Sequence, residues 1–381
     1  MILFATLLIA VGWSIHPTEG FIPNDFLAFG AKVISLSTNS CLTHQDMSRS
    51  AILEVVTEVL KDTPNPNYAQ GIQRVSSLDQ SNLDEKSILE TYYGRYERRR
   101  ENIFKDAINT VQKANTNTDL GHEEKHLAAA HFDSEQFESG QDRLITLRQS
   151  VVSLIMEGDY EAARMDTGRM FHTLQDFYSH SSWVENGNVD PNPVLGQPNE
   201  RIENTASPTE ETCTDCVRKG LPFTPAKFHY YKCNDNIKRS LIDNKILTSG
   251  YGAVQTDYNG KVIEKRPGKC SHGGLFVDSK QDTPARGGIN KDSPYHRNSP
   301  HYYYYDQAAS LAIRATANML RDMRGDVNDD QQFGEYLGVF ESRASAETSV
   351  GSRPVYSRNR NAMLQRHLNR IKGREIKPPF S

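Results

Sequence analysis

The chain has no hydrophobic run of bilayer length. A spanning helix needs ~20 apolar residues, and no segment of the 381-residue sequence supplies them. The apolar run at residues 2–13, ILFATLLIAVGW, is too short to span and suits the core of a secretory signal peptide. Small residues suited to cleavage occur twice. Ala10-Val11-Gly12 would leave Trp13 first, whereas Thr18-Glu19-Gly20 would leave Phe21 first and is the preferred reading. A strong charge of one sign is also missing. A net charge of -4 offers no basic field for nucleic acid. No Asn-x-Ser/Thr acceptor occurs, no internal repeat is evident, and strand patterns are sparse. Cysteine is scarce. Cys213, Cys216, Cys233 and Cys270 cluster, and Cys41 stands alone. In a secreted chain this favours two disulfides with Cys41 left over. A four-cysteine zinc site seeded by Cys213-x-x-Cys216 is the alternative.

What is present is helical periodicity. Ile52, Leu53, Val56 and Leu60 form one stripe and predict a helix over 46–62. Ile88, Tyr92, Tyr96, Ile103 and Ile108, interleaved with charge, predict another over 83–113. A third is predicted from Asp133, where Asp133-Ser-Glu-Gln136 fits an N-cap with its partner three residues on. It continues through Phe137, Leu144, Leu147, Val151 and Ile155 to a break at Gly158. A fourth is predicted over 159–185, stopped by Asn186-Gly187-Asn188. Residues 187–300 are rich in Pro, Gly and Asn and hold the clustered cysteines, so they read as a loop-rich insertion. Asn259-Gly260 is a turn pair that allows a hairpin within 251–264. Helix returns over 303–324 with Ala308, Leu311, Ala312, Ala315 and Leu320. The basic tail from 341 to 381 has few large apolar residues and is expected to be disordered. The fold class is therefore mainly α: a helical bundle at 21–340 carrying a cysteine-containing insertion.

The segment that carries chemistry is Phe171-His-Thr-Leu-Gln-Asp-Phe-Tyr-Ser-His180. His172, Asp176 and His180 stand at i, i+4 and i+8. Successive members are rotated by about 40° and rise about 6 Å, so all three share a face. Two imidazoles and a carboxylate suit a borderline cation such as zinc. Three ligands spread over two turns suit adjacent ions better than a single one. Left unpaired among Leu174, Phe177, Tyr178 and Trp183, such residues would be costly to bury. Further histidines lie at His44, His131, His272 and His301, each of which alone reads more simply as a capping or surface residue. Asp46 and Asp133 read as helix N-caps.

The string His172-Thr-Leu-Gln-Asp176 resembles the His-x-x-x-Asp motif of the zinc-dependent phospholipase C and S1/P1 nuclease superfamily. His180 matches a further histidine of that stretch, with two fewer intervening residues. Ala-His131-Phe-Asp133 resembles its His-Phe segment, Asp119 its preceding aspartate, Thr43-His44 its early histidine and His301 its last one. The acid expected four residues after that last histidine is Tyr305 here, with Asp306 one further on. A tighter resemblance, over about residues 21–340, is to the N-terminal region of the von Willebrand factor A domain-containing protein 7 family and to the fungal heterokaryon-incompatibility protein C (Het-C) group. Phe21-Ile-Pro-Asn, Thr43-His-Gln-Asp46, Ala-His131-Phe-Asp133, His172 through Glu185 and Gly268-Lys-Cys-Ser-His-Gly-Gly274 carry it. That family continues into a von Willebrand A domain, whose place the basic tail takes here. Asp46-Met-Ser48-Arg-Ser50 spells that domain's metal pattern, but no buried strand precedes it.

The resemblance implies His44, His131, His172, Asp176, His180 and His301 as holders of one to three zinc ions. Asp119 would be a ligand or the base that orients water. It implies a secreted, extracellular zinc-dependent phosphodiesterase acting on phospholipid or nucleic acid. In the superfamily the free amine of a mature N-terminal tryptophan also binds metal, whereas cleavage here leaves Phe21. The competing expectation is a non-catalytic extracellular module that keeps the scaffold, with or without one structural metal, and binds protein partners.

Overall fold

A computed structural model describes residues 21–341, apart from 36, 38, 39, 66, 69, 79–82, 221–229, 253 and 275–284. The expected signal peptide, and all of the expected tail beyond residue 341, lie outside the described residues.

Helix α1 (Asp25–Ile34) starts at Asn24, whose side chain accepts a hydrogen bond from the Leu27 amide. Helix α2 (His44–Asp62) starts two residues before the predicted 46. Its cap is Thr43, with Asp46 closing a reciprocal capping box, so Asp46 is the cap's partner and not the cap. The predicted helix over 83–113 is two helices. After the short α3 (Gly71–Ser76), α4 (Glu85–Tyr93) ends at Gly94, whose φ of 71° is left-handed, and α5 (Arg98–Leu120) starts afresh. Tyr96 of the predicted stripe falls in the break and is 48% exposed.

Helix α6 (Ala128–His131) leads into a tight bend, and α7 (Phe137–Glu157) begins later than predicted. Asp133 does not cap it. Phe132, Ser134 and Glu135 all have positive φ, and the Asp133 carboxylate turns into the interior. Helix α8 (Tyr160–His180) ends five residues before the predicted 185. Tertiary pairing ends it. Ser181 goes extended and bridges Ser249, and the Ser182 amide donates to the Thr248 carbonyl.

The insertion holds a two-stranded antiparallel ribbon, β1 (Val217–Lys219) on β2 (Tyr230–Lys232), with Arg218 opposite Tyr231. The five-residue α9 (Arg239–Asp243) follows. Within 251–264 the chain doubles back around Asn259-Gly260, with an antiparallel bridge from Thr256 to Val262 and backbone bonds from Ile263 to Gln255 and from Asp257 to Lys261. The four clustered cysteines form two disulfides, Cys213–Cys270 and Cys216–Cys233, which removes the four-cysteine zinc option. Cys41 is free and buried. A single 3-10 turn (Tyr302–Tyr304) opens α10 (Tyr305–Val327), and α11 (Asp330–Leu337) completes the bundle.

Helix α8 is the middle of this bundle. It packs on α5, α7 and α10, with α6 across it and α2 behind α10. One large core runs through these helices. A small second core, around Cys213, Cys270, Ile237 and Ile289, belongs to the insertion. Gly168 sets the closeness of α8 to α5, because a Cβ there would meet the Val111 carbonyl oxygen and the Ala114 side chain. That contact lies one turn before His172.

Candidate metal centres

The predicted face of α8 is real, and every residue from Met170 to His180 is buried. The three chemical side chains nevertheless serve two groups. Asp119, His131, His172 and Asp176 offer one atom each within 4.8 Å of one another, and so do Asp133, His180 and His272. All are buried, and each group could hold a metal ion.

In the first group His172 Nε2 lies 2.9 Å from Asp176 Oδ2, 3.0 Å from His131 Nδ1 and 3.4 Å from Asp119 Oδ1. His131 Nδ1 is 3.0 Å from Asp176 Oδ2 and 3.7 Å from Asp119 Oδ1. The other oxygen of Asp176 faces His44 Nε2 at 3.1 Å. Five side chains from α2, α5, α6 and α8 therefore meet, and the Asp176 carboxylate spans between His44 and the rest.

The outward nitrogen of each imidazole decides which way its lone pair points. His44 Nδ1 is 2.6 Å from Gln175 Oε1, and that amide's nitrogen donates to Ser48 and Thr316. His172 Nδ1 is 3.1 Å from Asn115 Oδ1, and that amide's nitrogen donates to Ser48 and Gln175. His131 Nε2 is 3.3 Å from the Glu124 carbonyl. Each outward nitrogen faces an acceptor oxygen, which suits the tautomer that carries its proton on the outside. All three inward nitrogens then present lone pairs to two carboxylates. Buried carboxylates beside imidazole lone pairs are costly, and a cation among them offsets that cost. Histidines that ligate metal are held in this way by a carbonyl or amide on the other ring nitrogen. Burial, with His44 and His131 nearby, lowers the His172 pKa to about 3, so its ring is neutral and able to donate its lone pair. Burial acts to raise Asp176, but His172, His180 and His44 hold it well below the ordinary carboxylate value.

The second group sits one turn along. His180 Nδ1 is 2.8 Å from the His131 carbonyl and 3.1 Å from Asp133 Oδ1. Its Nε2 faces His272 Nε2 at 3.2 Å and Asp292 Oδ1 at 3.3 Å. His272 comes from the insertion, two residues after Cys270, and its Nδ1 is 2.8 Å from the Gly273 carbonyl. Burial opposes charge on His180, yet Asp133 and Asp176 together raise its pKa well above the usual value.

His301 joins neither group. Its Nδ1 lies 2.6 Å from Glu185 Oε1 and its Nε2 2.6 Å from Asn236 Oδ1, in a buried pocket shared with Lys291. Tyr305, where the resemblance expects an acid, is buried and uses its hydroxyl to accept from the Leu42 amide at 2.6 Å. Phe21 is buried with its ring 5.8 Å from that of His44.

Sequence reasoning missed Asn115 and Gln175, which orient ligands, and Asp292, and it treated His272 as peripheral. Gln175 lies inside the recognised string and Asn115 lies four residues before Asp119, so spacing held a signal for both. Asp292 had none, because no periodicity fixes where the loop goes.

The family described as VWA7 N-terminal domain matches residues 83–333. Human von Willebrand factor A domain-containing protein 7 is 33% identical over 324 residues, covering 85% of this chain and 32% of its own length. The mouse protein of that name is 33% identical over 84% of this chain and 32% of its own, and the rat protein 34% over 81% and 31%. This chain spans about a third of the length of the curated relatives it matches. No solved structure matches it.

Proposed function

The chain belongs to the VWA7 N-terminal domain family, and we propose that His44, Asp119, His131, His172 and Asp176 make it a metal-binding module that holds zinc inside the helical body. The observation that carries this reading is the convergence of three histidine ring nitrogens on two buried carboxylates, with every outward ring nitrogen facing an acceptor oxygen. Mixed nitrogen and oxygen donors 2.9–3.7 Å apart suit a four-coordinate borderline cation. Secretion fits the two disulfides. No helix among the described residues is long and apolar enough to cross a membrane.

Enclosure favours a structural role for the metal. His44, His131, His172 and Asp176 are 0% exposed and Asp119 is 6% exposed, so the donors offer no surface to a phosphodiester. A second reading, metal-dependent phosphodiester hydrolysis on phospholipid or nucleic acid, is favoured by the donor count. Five side chains exceed the four of a closed zinc site, and Asp176 reaches both ways, as between adjacent ions. Zinc so held would attract a phosphate and lower the pKa of bound water. The protein would contribute the ligand geometry, with Asp119 as a ligand or as the carboxylate that orients that water.

The test is elemental analysis of the secreted, folded protein, then hydrolysis of a nitrophenyl phosphodiester and of phosphatidylcholine vesicles with and without chelator. Bound zinc that falls in His172→Ala supports the module, and chelator-sensitive turnover would move the assignment to the second reading. Metal content indistinguishable between wild type and His172→Ala rejects the site.

A further inference from the structure

We infer that the chain carries a second, separate zinc site, formed by His180 Nε2, His272 Nε2 and the Asp292 carboxylate, where the disulfide-bonded insertion meets α8. It goes beyond the reading above and uses none of the ligands of that site.

Protons on the two imidazoles are fixed from outside. The His272 Nδ1–H points at the Gly273 carbonyl, and Asn290 donates to that same oxygen at 2.8 Å, holding the peptide in place. The His180 Nδ1–H points at the His131 carbonyl, with Asp133 alongside. With both Nδ1 positions so engaged, the two Nε2 atoms face each other at 3.2 Å, and the place between them suits a metal ion or a single shared proton. Two lone-pair nitrogens there repel unless one or the other lies between them. Asp292 adds negative charge at the same point, with Oδ1 3.3 Å from His180 Nε2 and Oδ2 3.8 Å from His272 Nε2. Ser179 donates to Asp292 Oδ1 and fixes that carboxylate.

The spacing fits a metal. Two ligands at ~2.05 Å from a tetrahedral zinc are about 3.3 Å apart, and the separations at His180 Nε2 are 3.2 and 3.3 Å. Asp133 on the far nitrogen of His180 completes the carboxylate–histidine–metal arrangement that raises ligand basicity. Every member is buried, with exposures of 0% for His180 and Asp133 and 4% for His272 and Asp292. A shared proton is the competing occupant.

Two measurements decide between them. Crystals of the full chain grown with zinc, with anomalous data collected at the zinc edge, should show a peak between His180 and His272 as well as one at His172. A peak at His172 alone overturns this inference and leaves the first site standing. A peak at His180 alone supports it and removes the first reading, and no peak at either overturns both. In elemental analysis, Asp292→Asn and His272→Gln should each remove one zinc equivalent from folded protein, and His172→Ala should not remove that same equivalent. Wild-type zinc content in both folded variants would mean a shared proton and would overturn the inference. The crystal experiment uses only the wild-type chain, so a variant that fails to fold does not shield it.

Discussion

Single residues outside the metal groups control how firmly those groups are held. Glu124, between α5 and α6, accepts from His131 through its carbonyl while its carboxylate pairs with Arg169 of α8 at 2.5 Å and Arg143 of α7 at 2.9 Å. Burial acts to raise its pKa, but the two guanidinium groups win and bring it to about 2. A carboxylate depressed from 4.5 to about 2 stabilises the fold fully above pH 4.5, and that stability is lost as pH falls through about 2. Glu124→Gln should therefore cost about 2 kcal/mol at pH 7, the figure for a dry pair being reduced by solvent screening. The deficit should narrow by pH 3. Urea unfolding of both proteins at the two pH values reads this out, and a deficit equal at both would disprove the electrostatic origin. The same scale shows what one residue type can conceal. Asp133-Ser-Glu-Gln136 has the pattern of a helix cap, yet the Asp133 carboxylate lies beside His180, because Phe132, Ser134 and Glu135, all with positive φ, turn the chain inward.

Among the elements, α8 was the most legible and the insertion the least. The i, i+4, i+8 spacing fixes a shared face whatever surrounds it, so His172, Asp176 and His180 were readable. Their division into two groups was not, since it depends on which neighbours arrive. His131 and Asp119 come from helices and left a trace in the sequence, whereas His272 and Asp292 come from loop whose path is set by disulfides and backbone bridges. Helix ends set by tertiary pairing, as at Ser181, were misread for the same reason, while the left-handed Gly94 that splits α4 from α5 was a local signal overlooked. Interhelical distance is also set locally. Gly168→Ala should force α8 off α5, since the Val111 carbonyl it would strike is backbone and cannot rotate away. A loss of roughly 1–3 kcal/mol is expected, together with weaker metal retention, because Asn115 would be drawn from His172. Gly325→Ala, in α10 with open space around it, is the control and should stabilise by about 0.5 kcal/mol. Thermal melts of the pair test the claim, which fails if the two substitutions behave alike.

At the level of the whole molecule, a helical body with its own large core is joined to an insertion with a small one, and the cross-links matter most where the core is smallest. Cys213–Cys270 closes a loop with a sequence separation of 57, worth ~4 kcal/mol in the chain-entropy account. Cys213→Ser combined with Cys270→Ser should leave α5, α7 and α8 folded and loosen the insertion. Limited proteolysis with mass spectrometry should then find new cuts within 204–292 and none within 137–180. Cleavage patterns identical to wild type would show that the insertion holds itself together without the bridge.

The enclosure of the first group carries a kinetic meaning. A cation whose donors are all sealed beneath four helices cannot exchange with solvent while those helices stay closed. Its dissociation rate would equal the rate at which α8 parts from its neighbours, so metal release and amide exchange along that helix would share one time constant. The ion would then enter during folding, and its identity would record the compartment in which the chain folded, not the fluid in which the finished protein resides.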